Sequence, residues 1–114
     1  MKSIEINGQP YPFRIGLRAL ENFEIRTKKV LADFNGEVHL VMVLAHEGVK
    51  AGQRSAKVQE VEFEEFRDLM DQYPASYKQC LKVVMEEITA LMKEIVPSAE
   101  TDVDEEKKSD LKPE

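Results

Sequence analysis

Apolar and polar positions alternate at the start of this chain and then switch to helical spacing. Ile4 and Ile6 alternate with Ser3 and Glu5, and Tyr11 and Phe13 alternate with Pro10, Pro12 and Arg14. Asn7-Gly8 lies between the two runs. A type I′ turn needs positive φ at both central residues, and Asn-Gly meets that need at little cost. A β-hairpin over residues 2–14 is therefore expected. Beyond Gly16, Leu17, Leu20 and Phe23 recur at three-residue steps with Ala19 beside them. That spacing predicts a helix over 16–29, these residues facing inward and Arg18, Glu21 and Arg26 facing out.

Asp33-Phe34-Asn35-Gly36-Glu37 interrupts the pattern. Asn35 is expected to cap a helix starting near Glu37, its side-chain oxygen accepting a free backbone N–H. The following run, Val38-His39-Leu40-Val41-Met42-Val43-Leu44-Ala45, is apolar almost all round. It fits a strand buried on both faces or a helix in the middle of the core, and periodicity does not separate the two. Length favours a helix over 37–50, with Val38, Val41, Met42, Ala45 and Val49 on one face. Gly48 and Gly52 are expected to loosen its end, leaving Gln53 to Gln59 as a polar connector.

Phe63, Phe66 and Met70 form a stripe within a short helix expected over 62–72, where the early acids Glu62, Glu64 and Glu65 suit the positive end of the helix dipole. Pro74 opens a last helix over 74–96. Its apolar residues Tyr77, Leu81, Val84, Ile88, Leu91 and Ile95 form a heptad-like seam widened by Met85 and Met92. This seam either packs on the chain's own core or grips another protein, since methionine-flanked surfaces adapt to varied helices. Beyond Pro97, Val103 and Leu111 are the large aliphatics among many charges, which predicts a disordered acidic tail over 97–114. The expected fold is α+β: residues 1–96 form one domain, an N-terminal hairpin followed by a mainly α-helical body of about four helices.

Charge narrows the function. The net value is −6, so the chain is a poor general binder of nucleic acid, which needs a basic surface. Basic residues nevertheless collect early in the chain, at Lys2, Arg14, Arg18, Arg26, Lys28 and Lys29. A lone Cys80 suits a reducing compartment and forms no internal disulfide. The opening residues lack the apolar core of a signal peptide, and no run approaches the length of a membrane span, so neither export nor a membrane is expected.

Candidate chemistry is sparse. His39 and His46 lie seven residues apart, a rise of roughly 10 Å on a helix, too far to share one metal ion; both are expected as surface or core-edge imidazoles. Glu64-Glu65 and Glu86-Glu87 are adjacent pairs that diverge on a helix. Cys80 reads as a small buried hydrophobe. The glycines form no phosphate-binding loop. An enzyme would have to assemble its site from dispersed residues such as Asp33, His46 and Glu47. The expectation is a protein without catalysis, cofactor or metal.

The run Lys2-Ser3-Ile4-Glu5-Ile6-Asn7-Gly8-Gln9-Pro10-Tyr11-Pro12-Phe13-Arg14-Ile15-Gly16 leads into a helix with Leu17-Arg18-Ala19-Leu20-Glu21-Asn22-Phe23-Glu24. An apolar central helix, a Glu-rich short helix and a long last helix with a charged tail follow. Over roughly residues 1–96 this order resembles the tail assembly chaperones of long-tailed bacteriophages and prophages. The resemblance implies a protein that binds the apolar, helical tape measure protein and keeps it soluble until the tail tube polymerises. It also implies self-association, residence in the host cytoplasm and absence from the finished virion. A frameshift near the end of such reading frames often appends a second domain, for which the tail from Pro97 is a natural place. Under this reading Met42 in the central helix and Val84, Ile88, Leu91 and Met92 in the last are the expected contact residues. The alternative is a small regulatory or adaptor domain that binds protein or nucleic acid through Arg14, Arg18 and Arg26.

Overall fold

The computed structural model describes residues 2–95. The expected tail over 97–114, with Pro97 at its start, lies outside the described residues. The chain forms strands β1 (Lys2–Ile6) and β2 (Gln9–Phe13), helix α1 (Leu17–Thr27), a 3-10 turn (Leu31–Asp33), and helices α2 (Val38–Ala56), α3 (Phe63–Gln72) and α4 (Ala75–Ile95). The expected α+β class holds: an antiparallel hairpin leads into four α-helices.

The hairpin forms as its alternation requires. Asn7 and Gly8 take φ values of 53° and 77°, and Ile6 faces Gln9, Ile4 faces Tyr11 and Lys2 faces Phe13. Ile4, Ile6 and Phe13 are buried on the shared inner face. In this register Pro10 and Pro12 fall opposite Glu5 and Ser3. With Ile6 and Gln9 closing the turn as a hydrogen-bonded pair, those are the positions whose backbone nitrogens point away from the partner strand. The prolines therefore remove donors from the outer edge of β2 without weakening the hairpin. On the other edge, the Glu5 N–H donates to Gln79 Oε1 of α4 at 3.0 Å.

Helix α2 is the axis of the fold and contacts β2, α1, α3 and α4. Its run from Leu40 to Val49 is buried apart from the half-buried Met42, which places the apolar middle segment in the chain's own core. The sequence boundary of residue 50 falls short, because α2 continues to Ala56. Gly48 and Gly52 do not loosen this helix; they let the hairpin reach it. A Cβ on Gly48 would stand 2.4 Å from the Phe13 ring, and one on Gly52 would stand 2.3 Å from the backbone C and O of Pro12. The same approach allows the Arg14 N–H to donate to the Gly48 carbonyl at 3.0 Å. The helix ends at Lys57, in the left-handed region at φ 61°, with the Lys57 N–H donating to Arg54 O and the Val58 N–H to Gln53 O. These paired bonds satisfy carbonyls that a helix end leaves free. Gln53, read as connector, is helical and buried, and its Oε1 accepts the Val61 N–H at 2.8 Å.

Three local expectations also change. Asn35 Oδ1 does accept the Glu37 N–H, but Glu37 itself occupies the N-cap position without a side-chain cap, so Asn35 shapes the turn before the helix. Leu17 is 63% exposed, because only Ala19, Leu20 and Phe23 of α1 are buried against the core. Arg26 is turned inward, for reasons given below.

Candidate functional site

A concave surface lies where the start of α2, the length of α3 and the start of α4 meet. It is a groove of about 660 Å³, within the range of ligand-sized clefts. Its apolar surface comes from Val38 and Met42 on α2, Phe63 and Met70 on α3, Pro74 just before α4 and Tyr77 in the first turn of α4. Val38 is 63% exposed, whereas Met42, Phe63 and Tyr77 are half-buried. Glu64, Asp68 and Asp71 follow the exposed side of α3 at helical spacing and form an acidic rim, with Arg67 among them bound to Glu64 at 3.2 Å. His39, exposed, also lines the groove.

Behind this surface sits a buried polar cluster. Glu47 is fully buried in the middle of α2, and its carboxylate accepts from Arg26 at 2.6 Å and from Asn22 at 3.2 Å. Lys50, one turn along, adds an ion pair at 3.4 Å. Arg26 Nη1 also donates to His46 Nδ1 at 3.0 Å, which makes that nitrogen an acceptor; Nε2 then carries the proton and donates to Val61 O at 2.8 Å. Phe63 joins the cluster to the groove. Its ring lies 5.1 Å from that of His46, and the Arg26 guanidinium stands 4.6 Å from its centroid.

The cluster fixes its own protonation. Burial lowers the pKa of His46, and the neighbouring Arg26 and Lys50 charges lower it further, outweighing the Val61 carbonyl and Glu47 that favour the imidazolium. Burial alone would raise Glu47, but the Arg26 hydrogen bond, Lys50 and Asn22 together hold its carboxyl below the usual range. Both folded values are depressed, so each group contributes stability above its unfolded pKa and loses it as pH falls through the folded value. Urea denaturation is expected to show stability falling as pH drops below 6.5, the ordinary His46 value, and falling further below 4.5, where Glu47 begins to contribute. His46→Gln should flatten the slope between those two pH values; an unchanged slope would remove His46 from this account.

The residues singled out from sequence are distributed unevenly over these features. Met42 lines the groove. Val84 is fully buried, Ile88 and Leu91 are buried with it in the core, and Met92 packs against that core half-buried. The expected contact face on α4 is thus interior, because α4 closes over α2 and β1 and takes up its apolar stripe in doing so. A partner would reach those residues only by displacing α4. His46 is interior, not at an edge, and Cys80 is buried with its thiol pushed up to about 12 by burial. Asp33 sits exposed in the 3-10 turn, outside the hydrogen bonds that join His46 and Glu47. Of the three arginines, Arg14 and Arg18 are exposed, while Arg26 is held by Glu47. Among the described residues no group of three His, Cys, Asp or Glu side chains could hold a metal ion, and no helix is long and apolar enough to cross a membrane.

Sequence reasoning missed the groove as a unit. Phe63 and Met70 were legible as one stripe of α3, but nothing local says that Val38, Met42 and Tyr77 face it. Compared with protein-family models, with curated proteins and with solved structures, the chain gives no match.

Proposed function

We propose that this protein is a non-catalytic tail assembly chaperone of a long-tailed bacteriophage or prophage, which binds the apolar, helical tape measure protein and keeps it soluble during assembly. It works in the cytoplasm of the bacterial host, associates with further copies of itself, and is left out of the finished virion. The reading rests on the resemblance of residues 1–96 to that family. The observation that supports it most is the groove between α2, α3 and α4, which leaves Val38, Met42, Phe63 and Tyr77 at an open surface. A holdase needs such a surface, and net acidity keeps its complexes apart by like-charge repulsion. The role of Val84, Ile88, Leu91 and Met92 in this reading is to hold α4 in place behind the groove.

The test is co-expression with the tape measure protein expected from a gene beside that of this chain. The soluble fraction of the tape measure protein should rise several-fold and the two should co-purify. If the tape measure protein is equally insoluble with and without this chain, the proposal fails.

A further inference from the structure

The groove differs from a general apolar patch in the sign of its border. Glu64, Asp68 and Asp71 place three carboxylates along one edge of it, against the single guanidinium of Arg67, which Glu64 already engages. From this we infer that the groove receives an amphipathic helix of another polypeptide whose apolar face is flanked by lysine or arginine. The inference rests on the reading of the chain as a binder of helical protein and adds which surface binds and what charge the bound helix carries.

Three observations lead to this occupant. First, an extended segment in the groove would have no strand beside it to pair with. Pro10 and Pro12 remove donors from one edge of the hairpin, Gln79 covers the Glu5 N–H on the other, and the groove is bordered by helices. A segment entering it must satisfy its own backbone hydrogen bonds, as a helix does. Second, the chain's own residues 97–114 carry seven acidic and three basic side chains, so they are repelled by this rim. Third, the Leu17 face of α1 from a second copy fits poorly. The exposed Leu17 shares a stripe with Glu21 and Glu24, also exposed, which would meet Asp68 and Asp71 with like charge. A helix from a different protein, with leucine-like anchors over Met42 and Phe63 and cations toward α3, meets both the apolar floor and the rim.

Fluorescence anisotropy with two synthetic peptides tests this. Both carry leucines at i, i+3, i+4 and i+7; one has lysines on the flanks of that face and the other has glutamates there. The lysine peptide should bind at least roughly tenfold more tightly, by about the free energy of one or two favourable rim charges, and the preference should shrink with added salt. The double variant Asp68→Lys/Asp71→Lys, both exposed and so tolerated by the fold, should reverse the preference. Val38→Glu, at an exposed floor position, should weaken both peptides. Circular dichroism confirms that each variant is folded. Equal binding of the two peptides, binding of neither, or a lysine preference that survives Asp68→Lys/Asp71→Lys overturns the inference. So does a fall in oligomeric state on Val38→Glu without peptide binding, which would give the groove to a second copy. These outcomes are separable from failure of the chaperone reading. If co-expression still solubilises the tape measure protein in Asp68→Lys/Asp71→Lys, the chaperone stands and the groove is not its grip.

Discussion

Replacing Gly52 with alanine is expected to destabilise this protein by about 2–3 kcal/mol, the upper part of the usual range for overpacking a well-filled interior. At an exposed helical position the same change would stabilise by about 1 kcal/mol, because alanine is the better helix former. The sign of the result therefore reports directly on the packing. The new methyl would lie 2.3 Å from the Pro12 carbonyl carbon and oxygen, and a strand backbone cannot turn aside as a side chain can. Either β2 lifts from α2, loosening the Arg14–Gly48 hydrogen bond, or the helix shifts beneath it. For a domain of this size the melting temperature should fall by roughly 10 °C or more. Gly48→Ala provides the contrast. Its methyl would meet the Phe13 ring, so adding Phe13→Leu should recover part of the loss there and none of it at Gly52. A Gly52→Ala protein as stable as the parent would show that hairpin and helix are not in contact as described.

Arg26→Met should be at least as damaging, at about 3 kcal/mol, because it leaves a fully buried carboxylate without its closest partner. Glu47 would keep Lys50 at 3.4 Å and Asn22 at 3.2 Å, but lose the 2.6 Å bond that most offsets its burial. Lys50→Met should cost much less, since the Arg26 pair survives it. The two variants also differ in how they respond to acid. Without Arg26 the burial of Glu47 is less opposed, its pKa rises, and the acid-driven loss of stability begins at higher pH than in the parent. His46 loses the donor to its Nδ1 at the same time, and Phe63 loses the nearer of two guanidinium groups over its ring, keeping that of Arg67 at 5.3 Å. Denaturation series at several pH values for parent, Arg26→Met and Lys50→Met would establish the order. Equal losses in the two variants would mean that Lys50 supports Glu47 as strongly as Arg26 does. Because Phe63 forms part of the groove, Arg26→Met should also weaken peptide binding there, which ties the buried cluster to the surface it supports.

Much of the fold was legible because it is encoded locally. Asn7-Gly8 and the alternation around it specify a hairpin and its register within residues 2–14. The helical spacing of Leu20 and Phe23, and of Phe66 and Met70, gives α1 and α3 and their inner faces. The low apolar content beyond Pro97 is likewise a property of the sequence read alone. Tertiary contact decided the rest. Gly48 and Gly52 carry the local signal of a helix end, yet they lie inside α2 because a strand from forty positions earlier needs the space a Cβ would fill. Arg26 has the spacing of an outward residue and turns inward because Glu47, buried by the packing of α1 on α2, supplies a charge it can reach. Val84, Ile88 and Leu91 form a stripe equally suited to a partner or a core; only the arrival of α2 and β1 on that stripe makes it a core. Periodicity records which side of an element is apolar, but the identity of what covers that side depends on contacts between residues far apart in the chain, and no local pattern contains them.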